Sequence, residues 1–204
     1  MGIKRGDILK ETDLFNPVKE LLFEVGCSDV YAEVLGRDVV AFMGNRSIIV
    51  ELKKQLGFKV IEQAIEGRKR ADYTFVAAPQ PKTPHSKLAI QLLKEYGIGL
   101  IYLIDSRYLG LSAVFEFWGK RNKRPEDIRK HIKPHHSRTI GGSKGGEGPT
   151  EYSDLIDDIK RFMKRSNKWV SVDELLENVS SIGSYYKRPK ESIMTTLKES
   201  WNAD

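Results

Sequence analysis

The feature that most constrains this chain is the run Ile48-Ile49-Val50-Glu51-Leu52-Lys53, in which a stretch of branched apolar residues ends in two charges. Such an apolar run is the pattern of a strand buried on both faces. Residues two apart on a strand share a face, so Glu51 and Lys53 project together. A surface Glu-x-Lys pair is ordinarily an exposed ion pair of little energetic consequence. At the end of a buried strand the same pair is costly unless a metal or a function needs it.

Asp38 stands twelve intervening residues before Glu51. Residues 38–42 read as a strand, the loop around Met43-Gly44-Asn45-Arg46 as a reversal, and residues 47–52 as the returning strand. An earlier strand is expected over residues 30–35, with Gly36-Arg37 as the turn. The hairpin brings the start of one strand beside the end of the next, so Asp38, Glu51 and Lys53 converge at one sheet edge. Two carboxylates suit Mg²⁺ (or Mn²⁺), a hard cation that takes oxygen ligands, and the Leu52 carbonyl between the two side chains is a further oxygen donor. A metal held there activates water and neutralises charge on a phosphate. Lys53 is placed to orient the water or stabilise the transition state, or to act as a base if desolvation strips its proton. The trio therefore points to metal-dependent phosphodiester hydrolysis, with Asp38, Glu51 and Lys53 catalytic and Asp38, Glu51 and Leu52 as metal ligands.

The surrounding pattern sets the fold class. A helix is expected over residues 11–25, with Asn16 as cap and Pro17 at its first position. Helices over 58–70 and 87–96 alternate with strands over 73–78, 98–104 and 113–118. Antiparallel strands followed by alternating β and α units predict an α/β fold, a mixed sheet flanked by helices, over residues 1–118. Residues 119–150 read as a basic connector that ends in a Gly-rich linker. Residues 151–204 read as a small helical domain with helices over 152–164, 172–179 and 189–201, compatible with a winged-helix or helix-turn-helix unit.

Charge suggests the partner. The 204 residues carry a net charge of +6, and the last 54 hold 9 basic against 10 acidic side chains, so the positive excess lies in the first 150. A basic surface suits a polyanion such as nucleic acid, DNA first. Candidate contacts are Arg37, Lys120, Arg121, Lys123 and Arg124, with Arg107 and Tyr108, and in the tail Lys187, Arg188 and Lys190. Trp118 and Phe117 read as packing residues rather than base-stacking ones. The four histidines include the pair His135-His136, for which a solvated role is expected.

A single cysteine, Cys27, leaves no disulfide within one chain and no Cys-rich zinc site. With no long apolar run and no signal-like N-terminus, a cytoplasmic protein without membrane contact is expected. No Ser-His-Asp logic, Walker motif or dinucleotide-binding glycine pattern is present.

Glu11-Thr12-Asp13-Leu14, Pro17-Val18-Lys19, Glu33-Val34, Asp38-Val39-Val40-Ala41 and Ile49-Val50-Glu51-Leu52-Lys53 occur in order. They are followed by Gln63-Ala64, Ala71-Asp72, Val76-Ala77-Ala78-Pro79, Gly97-Ile98-Gly99-Leu100 and, as a weaker echo, Gly141-Gly142-Ser143. Over most of its length the chain resembles a bacterial family of uncharacterised proteins assigned as PD-(D/E)XK phosphodiesterases. The resemblance implies a restriction-endonuclease-like core and a nuclease site at Asp38, Glu51 and Lys53. Arg37 stands where the superfamily's name places proline. It also implies Glu11 and Glu33 as further metal ligands and Gln63 as a site residue, although each of the three also fits an ordinary helix or strand position. A non-catalytic nucleic-acid-binding protein, or a regulatory protein whose tail binds a protein partner or a second copy, is the alternative.

Overall fold

The computed structural model describes residues 10–106, 110–123, 125–143 and 148–199. Arg107, Tyr108, Arg124 and the Gly-rich stretch 144–147 lie outside them, as does the end of the expected helix over 189–201. The chain divides into two units, one of residues 1–132 with 136–148, the other of 133–135 with 149–204.

The first unit is an α/β fold built on one six-stranded mixed sheet in the order β1 to β6. A 3₁₀ turn over Glu11–Leu14 leads into α1 (Phe15–Glu24). Strands β1 (Asp29–Val34), β2 (Arg37–Met43) and β3 (Arg46–Leu52) form an antiparallel meander. Then α2 (Phe58–Gly67) leads to β4 (Tyr73–Pro79), and α3 (Lys87–Glu95) to β5 (Gly99–Ser106). Both β4 and β5 run parallel to the strand before them, and β6 (Gly110–Phe117) returns antiparallel to β5. The local register differs in small ways from the sequence expectation. The first turn is Leu35-Gly36, both residues at positive φ, so Arg37 already belongs to β2. That two-residue geometry matches the twist of the paired strands. The second loop is only Gly44-Asn45, since Met43 pairs with Arg46. Pro17 sits third in α1 and Asn16 is inside the helix rather than its cap. The preceding 3₁₀ turn makes this possible, and proline is tolerated in a first turn whose N–H groups lack helical partners.

Alternate residues of the central strands feed three core clusters. Val39, Ala41, Ile48, Val50, Leu52, Phe75, Ala77 and Ile101 pack under α1 with Leu14, Val18 and Leu22. Val76 and Leu100 pack with Val60, Ile61 and Ala64 of α2 and Leu93 of α3. The third is made of Val34, Val40, Phe42, Ile49, Ala71 and Ile128. The apolar run of β3 is buried on both faces, as its sequence requires. Cys27 lies in the first core, where burial pushes its thiol up to about 11, which makes it a packing residue.

The α/β unit continues past residue 118. Its next residues fasten to the end of the sheet where β3 and β4 begin. Asn122 donates to the Ala71 carbonyl and to Thr74 Oγ1, and Arg68 Nε donates to its Oδ1. Asp72, 7% exposed, accepts from Ser47 N and Ser47 Oγ and pairs with Arg121 at 2.9 Å and Arg46 at 3.5 Å. Asp72→Ala is expected to cost about 3 kcal/mol in urea denaturation, because it leaves buried donors unpaired. An unchanged midpoint would show the network to be dispensable.

The second unit holds four helices among the described residues, α4 (Glu151–Ser166), α5 (Val172–Asn178), α6 (Ser180–Tyr185) and α7 (Pro189–Thr196). No strand accompanies them there, and α6 is additional to the three helices expected. Thr150 and Ser171 cap α4 and α5 with their hydroxyls. Leu155, Ile159, Leu175, Val179, Ile182 and Ile193 make its core. His135 bonds Asp154 at 2.7 Å and His136 is buried, so neither histidine of the pair takes the solvated role expected.

Candidate functional site

The register places the three key residues. Val39 pairs with Val50, so Asp38 stands opposite Glu51 across the β2–β3 pair, one residue nearer the sheet edge. Asp38 Oδ2 accepts from Leu52 N at 2.7 Å and lies 3.8 Å from Lys53 Nζ. Lys53 Nζ also bonds Glu11 Oε2 at 2.8 Å, which ties the 3₁₀ turn ahead of α1 to the end of β3. Glu51 is 1% exposed and takes Arg37 Nη1 at 3.0 Å.

Glu33 completes an acidic group. It lies between Ala32, which pairs with Val39, and Val34, which pairs with Arg37, so it stands opposite Asp38. Its φ of 58° is a left-handed value that a glutamate pays for, and such outliers gather at functional sites. Its Oε1 accepts from Gly142 N at 2.8 Å. The Gly141-Gly142 turn packs directly on this corner. A Cβ at Gly141 would lie 2.3 Å from the Asp38 carbonyl oxygen and one at Gly142 2.9 Å from Glu11 Cβ. A stretch expected to be linker is thus a wall of the site. Paired glycines were the only signal for it, and the contact across more than a hundred residues was not in the sequence.

Gln63 lies on α2, and its backbone carbonyl accepts from Arg37 Nη1 at 2.9 Å. Its side-chain Oε1 is buried without a hydrogen-bond partner, as is Arg37 Nε. Arg37, expected to contact a nucleic-acid backbone, is instead folded inward, held by Glu51, Gln63 and, at 3.4 Å, Glu66. Its side chain is 12% exposed.

The electrostatics follow from crowding. Burial, then the Asp38 charge, pushes Glu51 up to about 7 against Arg37 and Lys53. Burial, then Asp38, does the same to Glu33, also to about 7. Asp38 is raised by burial despite its Leu52 hydrogen bond. For Lys53, burial favours the neutral amine, but its bond to Glu11 and the fields of Asp38 and Glu51 outweigh it, so the ammonium is held above its ordinary range. Lys53 is therefore a fixed cation rather than a general base in this arrangement.

Among the described residues, no group of three His, Cys, Asp or Glu side chains forms a ready-made metal cage. The carboxylates here are taken up by Arg37 and Lys53. Four carboxyls (Glu11, Glu33, Asp38, Glu51) share these two cations, so the corner, once ionised, holds more negative than positive charge, an excess that a divalent cation would offset. All donors are oxygens, and burial first, then neighbouring carboxylate charge, raises Glu33, Asp38 and Glu51. The residues fit Mg²⁺ or Mn²⁺ by donor type and charge.

The Glu51 shift predicts a pH dependence of stability. Its carboxyl binds a proton more tightly when folded (about 7) than at its ordinary 4.5. The native contribution is therefore fully present below about 4.5 and is lost as pH rises through about 7. Through Glu51 alone, metal-free protein is expected to lose up to about 3 kcal/mol across that window, and Glu33, raised alike, adds to the loss. Glu51→Gln should make the profile shallower, with the Glu33 share remaining, and a profile identical in the two proteins would refute the assignment.

Of the expected nucleic-acid contacts, Lys120 and Lys123 are exposed and Arg121 is committed to Asp72. In the helical unit Lys187 is exposed, Lys190 pairs with Asp173 at 2.6 Å, and Arg188 lies 3.6 Å from Glu191. Trp118 packs on Phe115, Phe75 and Tyr73. No protein-family model, curated protein or solved structure matches the chain.

Proposed function

We propose that this protein is a metal-dependent phosphodiesterase of the PD-(D/E)XK type acting on nucleic acid, DNA first, on a restriction-endonuclease-like core. The observation that carries the reading is the convergence of Asp38, Glu51 and Lys53 at one sheet edge, with Glu11 and Glu33 crowded beside them and too few cations to balance them.

Asp38, Glu51 and the Leu52 carbonyl would hold the metal, with Glu33 and Glu11 adjoining. A bound Mg²⁺ would polarise the scissile phosphate and acidify a water. Lys53, kept as an ammonium beside Asp38 and Glu11, would stabilise the charge that builds on the phosphate. Arg37 holds Glu51 and is also anchored to the Gln63 carbonyl, so it would keep a partner if that carboxylate held a metal. The Gln63 amide oxygen is buried without a hydrogen-bond partner.

Purified protein is expected to cleave supercoiled, linear or single-stranded DNA, or RNA, with Mg²⁺ or Mn²⁺ and not with chelator, and Lys53→Ala should lose the activity. Cleavage by Lys53→Ala and Asp38→Ala at the wild-type rate would overturn the reading. So would absence of cleavage on every substrate, leaving a nucleic-acid-binding or partner-regulated protein.

A further inference from the structure

The proposed nuclease site lies at the carboxyl ends of the parallel strands, and the chain there carries lysines outside the Asp38–Glu51–Lys53 corner. Leu52 pairs with Ala77, so β4 runs two residues beyond the β3 end to Pro79. The loops that leave these strands, residues 53–57 and 80–86, therefore flank Glu51 and Lys53, with neighbouring strands about 4.8 Å apart. They and the first residues of α2 and α3 carry Lys54, Lys59, Lys82 and Lys87, all exposed. None of the four makes an ion pair among the described residues. The acidic side chains of α2 and α3 are Glu62, one turn past Lys59, with Glu66 and Glu95 toward the other ends of their helices.

From Lys87 the surface continues as an open groove of about 700 Å³ along α3, lined by His85, Lys87, Ile90, Gln91, Lys94 and Glu95. His85 stacks on Tyr102 at 5.7 Å, and its Nε2 is buried without a hydrogen-bond partner. The other basic cluster of this unit lies at the far end of the sheet. Arg121 and Asn122 are fastened to Asp72, Ala71 and Thr74, where β3 and β4 begin. From Ser47, which bonds Asp72, to Glu51 is four strand residues, roughly 13 Å. A phosphate gripped by Lys120 or Lys123 is thus remote from the carboxylates.

We infer that the nucleic-acid backbone is gripped by the lysine rim Lys54, Lys59, Lys82 and Lys87 and the adjoining α3 groove, and not by the Lys120–Lys123 segment. This rests on the nuclease reading and assigns its substrate path. Evenly spread, unpaired ammonium groups beside a catalytic corner bind a phosphodiester chain by releasing its counterions, without regard to sequence.

The test measures anisotropy of a fluorescent 30-base-pair DNA duplex, and of single-stranded DNA and RNA of equal length, on the full chain in chelator, as a function of salt. The quadruple Lys54→Ala, Lys59→Ala, Lys82→Ala, Lys87→Ala variant is compared with wild type, with the four Lys→Arg changes, and with Lys120→Ala, Lys123→Ala. Loss of four phosphate contacts lowers the salt slope on duplex by about 3.6. Wild-type affinity should then fall roughly 150-fold more than the variant's between 50 and 200 mM salt. The arginine variant should bind as wild type does, as should the Lys120/Lys123 variant. An unchanged slope in the quadruple alanine variant, or a larger loss in the Lys120/Lys123 pair, overturns the rim while metal-dependent cleavage by wild type still stands. A wild type that neither binds nor cleaves any of the three nucleic acids overturns both.

Discussion

Glu51→Gln is expected to lower metal-dependent cleavage by about a thousandfold or more while leaving the fold intact and, above neutral pH, more stable than wild type. The substitution keeps the shape of a side chain that is 1% exposed, so the surrounding packing is not disturbed. It removes one charge from a corner where burial and Asp38 already oppose that charge. Without metal, the charge is a liability. Its neutral replacement keeps a carbonyl oxygen for Arg37, which also stays bonded to the Gln63 carbonyl. With metal the same charge is the main attraction for a hard cation, and the field that stabilises the reacting phosphate is lost with it. Stability and function thus pull in opposite directions at this residue. Calorimetric titration with Mn²⁺ should show binding to wild type and none to Glu51→Gln, and thermal melts at pH 7.5 should favour the variant. Wild-type Mn²⁺ affinity in Glu51→Gln would remove Glu51 from the site.

Gly141→Ala is expected to cost at least about 3 kcal/mol, or to abolish metal binding by expelling its segment from the site. The added methyl would lie 2.3 Å from the Asp38 carbonyl oxygen and 2.7 Å from Phe15 Cδ2. The first neighbour is backbone of β2, which cannot yield without disturbing the strand that carries Asp38. The turn must move instead, and with it goes the Gly142 N–H that Glu33 accepts. Glu33 then keeps its left-handed backbone and its buried charge with less to hold either. Gly183→Ala is the control, with nothing within 4 Å of the new methyl and a helical position that gains up to about 1 kcal/mol. Urea midpoints and Mn²⁺ titrations of both variants decide the matter. Wild-type behaviour of Gly141→Ala in both would show that the glycine turn is a passive linker.

Much of the fold was legible locally. Ile48-Ile49-Val50 could only be a strand with both faces covered, and both faces are covered. The alternation of β and α units after β3 required parallel strands with crossover helices, and β3, β4 and β5 are joined that way. The hairpin argument that set Asp38 beside Glu51 needed only the period of a strand and a short loop. It survives a loop of two residues instead of four, since the register is held by the apolar face. The helical unit was legible in the cap at Ser171 and the first-turn Pro189 but not in its number of helices. Residues 180–185 carry no periodic stripe long enough to mark α6.

Long-range contact was not legible. Arg37 and Arg121 look alike in sequence, two cations in a basic chain. One closes over Glu51 and is withdrawn from solvent, while the other pairs with Asp72 at the far end of the sheet through its Nε and stays half exposed. Gly141-Gly142 has the composition of a linker and the position of a wall. His136 reads as solvated and is buried. In each case the composition sets what a residue is able to do, and the partner that decides what it does lies many residues away. By itself the sequence determined the elements, the mixed sheet and the meeting of Asp38, Glu51 and Lys53, because strand periodicity and short turns act over a few residues. Only the tertiary structure decided which cations neutralise the site, which turn closes it and which lysines stand free beside it. Those outcomes depend on burial and charge balance among segments that meet only when the chain is folded.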